Sequence, residues 1–173
     1  KEASENDKNL SLDVMFVDIG ANSREEAEKL VPIGTFGTYV SKFEEQNGKW
    51  ISKAMDDRIA CAIMIEAAKQ LKDNKNNVIF AFTVQEEVGL VGSSVAAYDY
   101  DVDMAIAIDV TMAADTHKAF KRMEMKLDGG PCIKIKDRAS ISDKNVVDFM
   151  KDTCIENNIP YQYVPIEKLN RLV

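Results

Sequence analysis

Val78-Ile79-Phe80-Ala81-Phe82-Thr83-Val84, followed at once by Gln85-Glu86-Glu87-Val88-Gly89, is the stretch on which the fold turns. A continuous apolar run of strand length suits an interior strand buried on both faces, as in parallel sheets covered by helices. Met104-Ala105-Ile106-Ala107-Ile108 has the same character and ends on Asp109. Between the two runs, residues 90–98 are predicted to form a short helix. Upstream, Ile59, Ala62, Ile63, Ala67 and Leu71 share one helical face while Glu66, Lys69 and Lys72 lie opposite. Downstream, Ile133 and Ile135 alternate with Lys134 and Lys136, which predicts a strand near an edge with one wet face. Ser142 is predicted to cap a helix whose apolar side carries Val146, Val147, Met150 and Cys154, ending near Asn157-Asn158, and Tyr161 to Val164 reads as a last strand. This alternation implies an α/β domain with a mixed, largely parallel sheet flanked by helices.

The first fifty residues read as mostly β. Leu12, Val14 and Phe16 alternate with Asp13 and Met15 and run into Asp18-Ile19-Gly20. Ser23-Arg24-Glu25-Glu26 is a capping box that should start a helix through Leu30. Tyr39 to Phe43 and Trp50 to Lys53 read as strands, with Asn47-Gly48 between them as a hairpin signal.

Composition narrows the function classes. The chain has 173 residues, 46% of them hydrophobic, and a net charge of −7. That suffices for a real core and leaves no basic surface for phosphate, so neither nucleic acid nor anionic membrane is an expected partner. No apolar stretch approaches the roughly 20 residues of a membrane span. Lys1 to Lys8 has neither the apolar core of a secretory signal nor an initiator methionine, and reads as a cut rather than a native start. Cys61, Cys132 and Cys154 are widely spaced in apolar surroundings, which predicts reduced core thiols in a cytoplasmic protein.

Three acidic clusters share one placement. Asp56-Asp57 precedes a helix, Glu86-Glu87 follows a buried strand, and Asp109 ends the next, all at the edge where α/β sheets bind ligands. Singly, each has an ordinary explanation: a helix N-cap, a solvated turn, a carboxylate paired with a lysine. Jointly, crowded carboxylates repel one another unless a cation is present, so a divalent metal site is expected.

Lys53-Ala54-Met55-Asp56-Asp57-Arg58, Phe82 to Gly89 and Ala107-Ile108-Asp109-Val110-Thr111 resemble three signature segments of one peptidase family. That family contains glutamyl aminopeptidase and the tetrahedral aminopeptidases, and its members are often mislabelled as endoglucanases. The resemblance continues in Asp18-Ile19-Gly20, Ser23 to Ala27, Gly130-Pro131-Cys132-Ile133 and Ile159-Pro160-Tyr161-Gln162. It implies a dinuclear metalloaminopeptidase that takes residues from peptide N-termini and uses two divalent ions, zinc or cobalt first and manganese as an option. It also implies that Asp56 bridges the metals, Glu87 and Asp109 are terminal ligands, and Glu86 is the general base. Asp57 and Arg58 read as support that orients Asp56. By the same resemblance, residues 1–50 look like the tail of an inserted β-rich dimerisation domain, residues 51–173 look like a partial catalytic domain, and a homo-oligomer is expected of the full-length protein.

The match is incomplete. Similar enzymes complete the metal shells with two histidines, in an early His-x-Asp segment and after a late Gly-Gly-Thr-Asp segment, and neither is present. The one histidine, His117, reads as an exposed loop residue. Leu127 to Gly130 and the ending Pro165 to Val173 also depart from the pattern, so the chain resembles the central portion of a longer protein. Little or no peptidase activity is expected of this polypeptide alone. The rivals are a non-catalytic remnant or assembly module and, less favoured, a glycoside hydrolase, whose two carboxyl groups must face each other across a bond whereas adjacent glutamates diverge.

Overall fold

The computed structural model describes residues 15–117, 119, 124–137 and 139–164. It is α/β, with helices α1 (Arg24–Leu30), α2 (Met55–Gln70), α3 (Val91–Ala96) and α4 (Lys144–Glu156). The strands are β1 (Glu44–Gln46), β2 (Lys49–Ile51), β3 (Cys132–Lys134) and β4 (Gln162–Val164). The chain divides into two compact units, residues 1–42 and 43–173.

In the first unit Ser23 caps α1, its Oγ accepting the Glu26 N–H at 3.1 Å. The reciprocal half of the predicted box is displaced by one residue, because Glu26 Oε2 accepts from the Asn22 N–H at 2.9 Å instead of from Ser23. Leu12 and Val14 of the first expected strand lie outside the described residues, as does the ending Pro165 to Val173, and residues 15–20 form no strand. There Asp18 Oδ1 accepts the Gly20 N–H at 2.8 Å, a local turn that competes with strand pairing.

The second unit opens with the hairpin. Asn47 and Gly48 have φ of 51° and 71°, the pair of left-handed residues that lets a two-residue turn follow the strand twist. Such a turn pins the register, with Glu44 opposite Ile51, Glu45 opposite Trp50 and Gln46 opposite Lys49. The strands therefore abut the turn: the strand expected over 50–53 is present at Trp50 and Ile51 and begins at Lys49, and the first strand is Glu44–Gln46 and not 39–43. Phe43 and Trp50 stack at a tilt across the hairpin's open end, ring centroids 6.0 Å apart.

The buried centre of this unit lies where α4 packs on β3. Ile133, Val147 and Cys154 are buried there, with Ile135, Met150 and Tyr161 against them, so the predicted apolar face of the helix is the face that packs. β3 and β4 pair in parallel, Cys132 opposite Gln162 and Lys134 opposite Val164. The cap of α4 is Asp143, not Ser142: Asp143 Oδ1 accepts from Asn145 N–H at 2.8 Å and Val146 N–H at 3.3 Å. Ser142 is engaged elsewhere, its hydroxyl donating to the Lys134 carbonyl at 2.6 Å. The Gln162 side chain acts as an extra strand partner, accepting from Lys126 N–H at 2.9 Å and donating to the Lys126 carbonyl at 3.0 Å.

Two further expectations differ from the structure. Residues 78–84 and 104–110 carry no ladder and are exposed apart from half-buried Phe80; among the described residues the sheets are two-stranded and β3 with β4 is the parallel pair. A strand apolar on both faces needs neighbours on both edges and a layer on each side, and the described residues do not supply them. On α2, Ala60 is buried at 1% exposure, and Ile59, Cys61 and Met64 are half-buried, whereas Ala62, Ile63, Ala67 and Leu71 are exposed. Apolar residues occur on more than one face of α2, so packing and not sequence period selects the side it buries. No described helix is long and apolar enough to cross a membrane. All three cysteines are free thiols, Cys154 buried and the other two half-buried.

Candidate metal centre

The entry to α2 is irregular, and that irregularity carries two of the acids. Ala54 adopts a left-handed conformation, and Asp56 (φ −80°, ψ 109°) and Asp57 (φ −117°, ψ 39°) are non-helical, so the regular ladder begins only after them. Asp109 follows the 104–108 run and accepts the N–H of Val110 on its own Oδ1 at 2.6 Å. These segments, far apart in sequence, meet: Asp56, Asp57 and Asp109 each place a carboxylate oxygen within 4.8 Å of the other two.

Glu86 and Glu87 sit on a turn closed by backbone bonds onto the start of α3. Gly89 and Leu90 N–H donate to the Glu86 carbonyl at 3.1 and 2.9 Å, Val91 N–H to the Gln85 carbonyl at 3.2 Å and Gly92 N–H to the Val84 carbonyl at 2.9 Å. Glu86 and Glu87 lie outside the group of three aspartates, but Glu86 is close enough to feel all of them. Although Glu86 is exposed as a residue, its carboxyl is pushed above the ordinary glutamate range. Partial loss of hydration contributes most, followed by repulsion from Glu87, Asp109, Asp56 and Asp57.

Asp57 is pushed up as well, first by desolvation and then by Asp109, with the Ala60 N–H pulling the other way and Asp56 adding to the rise. Its Oδ1 is buried and has no hydrogen-bond partner. A buried, unpartnered oxygen on a carboxylate that also lies close to two further carboxylates leaves charge uncompensated, which burial penalises strongly. An all-oxygen anionic donor set of this kind fits a hard or borderline divalent ion.

Of the residues expected from sequence, Asp56 and Asp109 are thus brought together, Glu86 joins them electrostatically, and Glu87 stands beside Glu86. Asp57, expected as support for Asp56, contributes an oxygen to the group itself. Nothing in the sequence signals this, because it depends on the irregular backbone at the start of α2. Arg58 is exposed at the first regular turn of α2, and His117 is exposed and outside the group. Gly92, singled out by nothing in the sequence, lies against the turn that holds both glutamates.

Comparison with known proteins gives a family for the chain as a whole. A profile of the M42 glutamyl aminopeptidase family matches residues 1–169. A curated relative in Acetivibrio thermocellus that bears an aminopeptidase name is 47% identical over 167 residues, a match covering 96% of this chain and 50% of that protein. Aminopeptidase APDkam598 from the archaeon Desulfurococcus kamchatkensis superposes with a TM-score of 0.74 at 36% identity, covering 86% of this chain and 43% of that one. PhTET1-12s, a dodecamer in its asymmetric unit, superposes with a TM-score of 0.70 at 35% identity, covering 85% and 45%. The chain spans about half the length of the curated relative.

Proposed function

Because the chain belongs to the M42 glutamyl aminopeptidase family, we propose that its aspartate cluster is the carboxylate half of a two-metal site in an aminopeptidase that removes N-terminal residues from peptides. The observation that carries the reading is the convergence of Asp56, Asp57 and Asp109, with one Asp57 oxygen buried and unpartnered. In this reading Asp56 would be the carboxylate shared by the two ions, Asp109 and Glu87 would each hold one of them, and Asp57 and Arg58 would orient Asp56. Zinc, cobalt and manganese all suit the donors. Bound divalent ions would supply the charge that polarises a peptide carbonyl and acidifies a water.

The chain's own residues account for the remaining steps. Glu86, with its carboxyl above the ordinary range, is suited to take a proton from the attacking water and return it to the leaving amine. The proposed substrate is a peptide with a free N-terminal amine, bound with that end beside the site. A homo-oligomer is the proposed assembly, supported by the dodecameric neighbour. Residues 1–50 are proposed to derive from a β-rich dimerisation domain and residues 51–173 from the catalytic domain, whose central strands are the 78–84 and 104–110 runs. Three free thiols support a reducing, cytoplasmic setting.

The polypeptide of 173 residues is proposed to have little peptidase activity by itself, because its donors are carboxylates and its one histidine is exposed and apart from them. Calorimetric titration with zinc, cobalt and manganese tests the site directly. The expected result is divalent binding that Asp56→Ala abolishes. A flat titration with all three ions would overturn the metal-site reading for this polypeptide.

A further inference from the structure

We propose that Gly92 is a positioning residue for the metal centre: the absence of a side chain there lets α3 close onto Val84 and so holds Glu86 and Glu87 towards the aspartates. The inference rests on the proposed metal-centre function for its consequence, and on backbone geometry for its cause. Glycine lowers helix stability relative to alanine, so a glycine at the second residue of α3 asks for a reason. Contact supplies it. A Cβ at residue 92 would lie 2.6 Å from the Val84 nitrogen and closer still to the Val84 carbonyl oxygen. Both are backbone atoms, so no side-chain rotation relieves the overlap.

That same carbonyl accepts the Gly92 N–H at 2.9 Å, the outermost bond of the nested set that closes the turn. Inside it come Val91 to Gln85, then Leu90 and Gly89 to Glu86. Gln85 and Leu90, neither of them glycine, hold φ of 58° and 59° within this frame. Ser93 Oγ and Ser94 Oγ donate to the Leu90 carbonyl at 3.0 and 2.8 Å and tie the helix side to the turn. Val84 is two residues from Glu86, so a side chain that drives residue 92 off Val84 displaces both glutamates together.

The test uses the full chain carrying Gly92→Ala, followed by NMR with manganese as the probe. The expected result has three parts. The methyl signals of Ile133 and Val147 stay in place, showing that the β3–α4 core is intact. The amides of Asp57 and Asp109 shift although they are remote in sequence. Manganese-dependent broadening at Glu86 and Glu87 requires about tenfold more metal, the scale on which mispositioned ligands lose affinity. Unchanged Asp57 and Asp109 amides with unchanged broadening would overturn the proposal. If the parent chain shows no broadening, the metal-centre reading fails, and the amide shifts at Asp57 and Asp109 still decide the role of Gly92. Should Gly92→Ala disturb the core, hydrogen exchange of the parent chain decides instead: protection of the Gly92 amide, which is bonded to the Val84 carbonyl, supports the proposal, and unprotected exchange overturns it.

Discussion

Asp57 is the residue at which stability and function pull apart. Its buried oxygen has no donor, and Asp56 and Asp109 crowd it, so ionisation costs the folded protein more than the unfolded chain. Asp57→Asn is therefore expected to raise the thermal midpoint of the metal-free protein at neutral pH while weakening divalent binding by about tenfold. A melt and a metal titration on the same preparation check both halves, and a lowered midpoint without metal would contradict the argument. The pH dependence follows from linkage. Asp57 and Glu86 hold protons to higher pH when folded than when unfolded, so stability falls as pH rises from about 4, the ordinary carboxylate value, through their raised values. Asp137 and Asp148 are shifted down, chiefly by hydrogen bonds from Lys134 and Lys144, and their contribution is lost as pH falls below that range. Urea unfolding across pH should thus show metal-free stability declining on both sides of the ordinary carboxylate range, with Asp57→Asn plus Glu86→Gln flattening the alkaline side. The acids themselves were legible in the sequence as three clusters at strand and helix ends. That Asp57 joins the group was not, because its placement depends on the irregular backbone from Ala54 to Asp57.

Among the elements, those specified by neighbours in sequence were legible and those specified by distant partners were not. Asn47-Gly48 fixes its hairpin with two residues, and Ser23 caps α1 with a bond three residues away. The apolar side of α4 needs only one surface, which β3 provides. The exchange of Ser142 for Asp143 as the cap of α4 shows the limit of local reading, since what removes Ser142 is a carbonyl eight residues earlier, at Lys134. The 78–84 and 104–110 runs are the extreme case, because a strand buried on both faces is specified wholly by what covers it. Two substitutions measure these dependencies. Asp143→Ala removes a side-chain cap from two N–H groups and should cost about 1 kcal/mol of stability. Gln162→Leu removes a side chain that bonds both backbone groups of Lys126 and also the Gly130 carbonyl at 3.1 Å. At about 1 kcal/mol for each of these three net hydrogen bonds, the expected loss is about 3 kcal/mol, the larger of the two. Chemical denaturation of both variants orders them, and equal losses would show that the Gln162 bonds add little beyond strand pairing.

For the molecule as a whole, the balance between exposed apolar surface and net charge governs behaviour in solution. Within residues 43–173, Trp50, Ile63, Ile65, Phe82, Val84 and Ile106 are all exposed, more apolar surface than a monomeric protein ordinarily leaves to water. Opposing association is the net charge of −7, carried by 29 acidic against 22 basic residues. Like-charge repulsion between copies acts over a Debye length, which shrinks from about 10 Å at 0.1 M salt to about 3 Å at 1 M, whereas apolar attraction is not screened. Raising salt should therefore shift the chain towards larger species. Light scattering coupled to size-exclusion chromatography at about 0.1 M and about 1 M sodium chloride measures this directly. The form of the shift separates two causes. A discrete multiple of the 19.3 kDa chain would reflect a specific homo-oligomer like the dodecameric neighbour. A broad distribution would reflect unspecific pairing of apolar faces. A monomer at both salt concentrations would show that the exposed apolar surface is too dispersed to drive association.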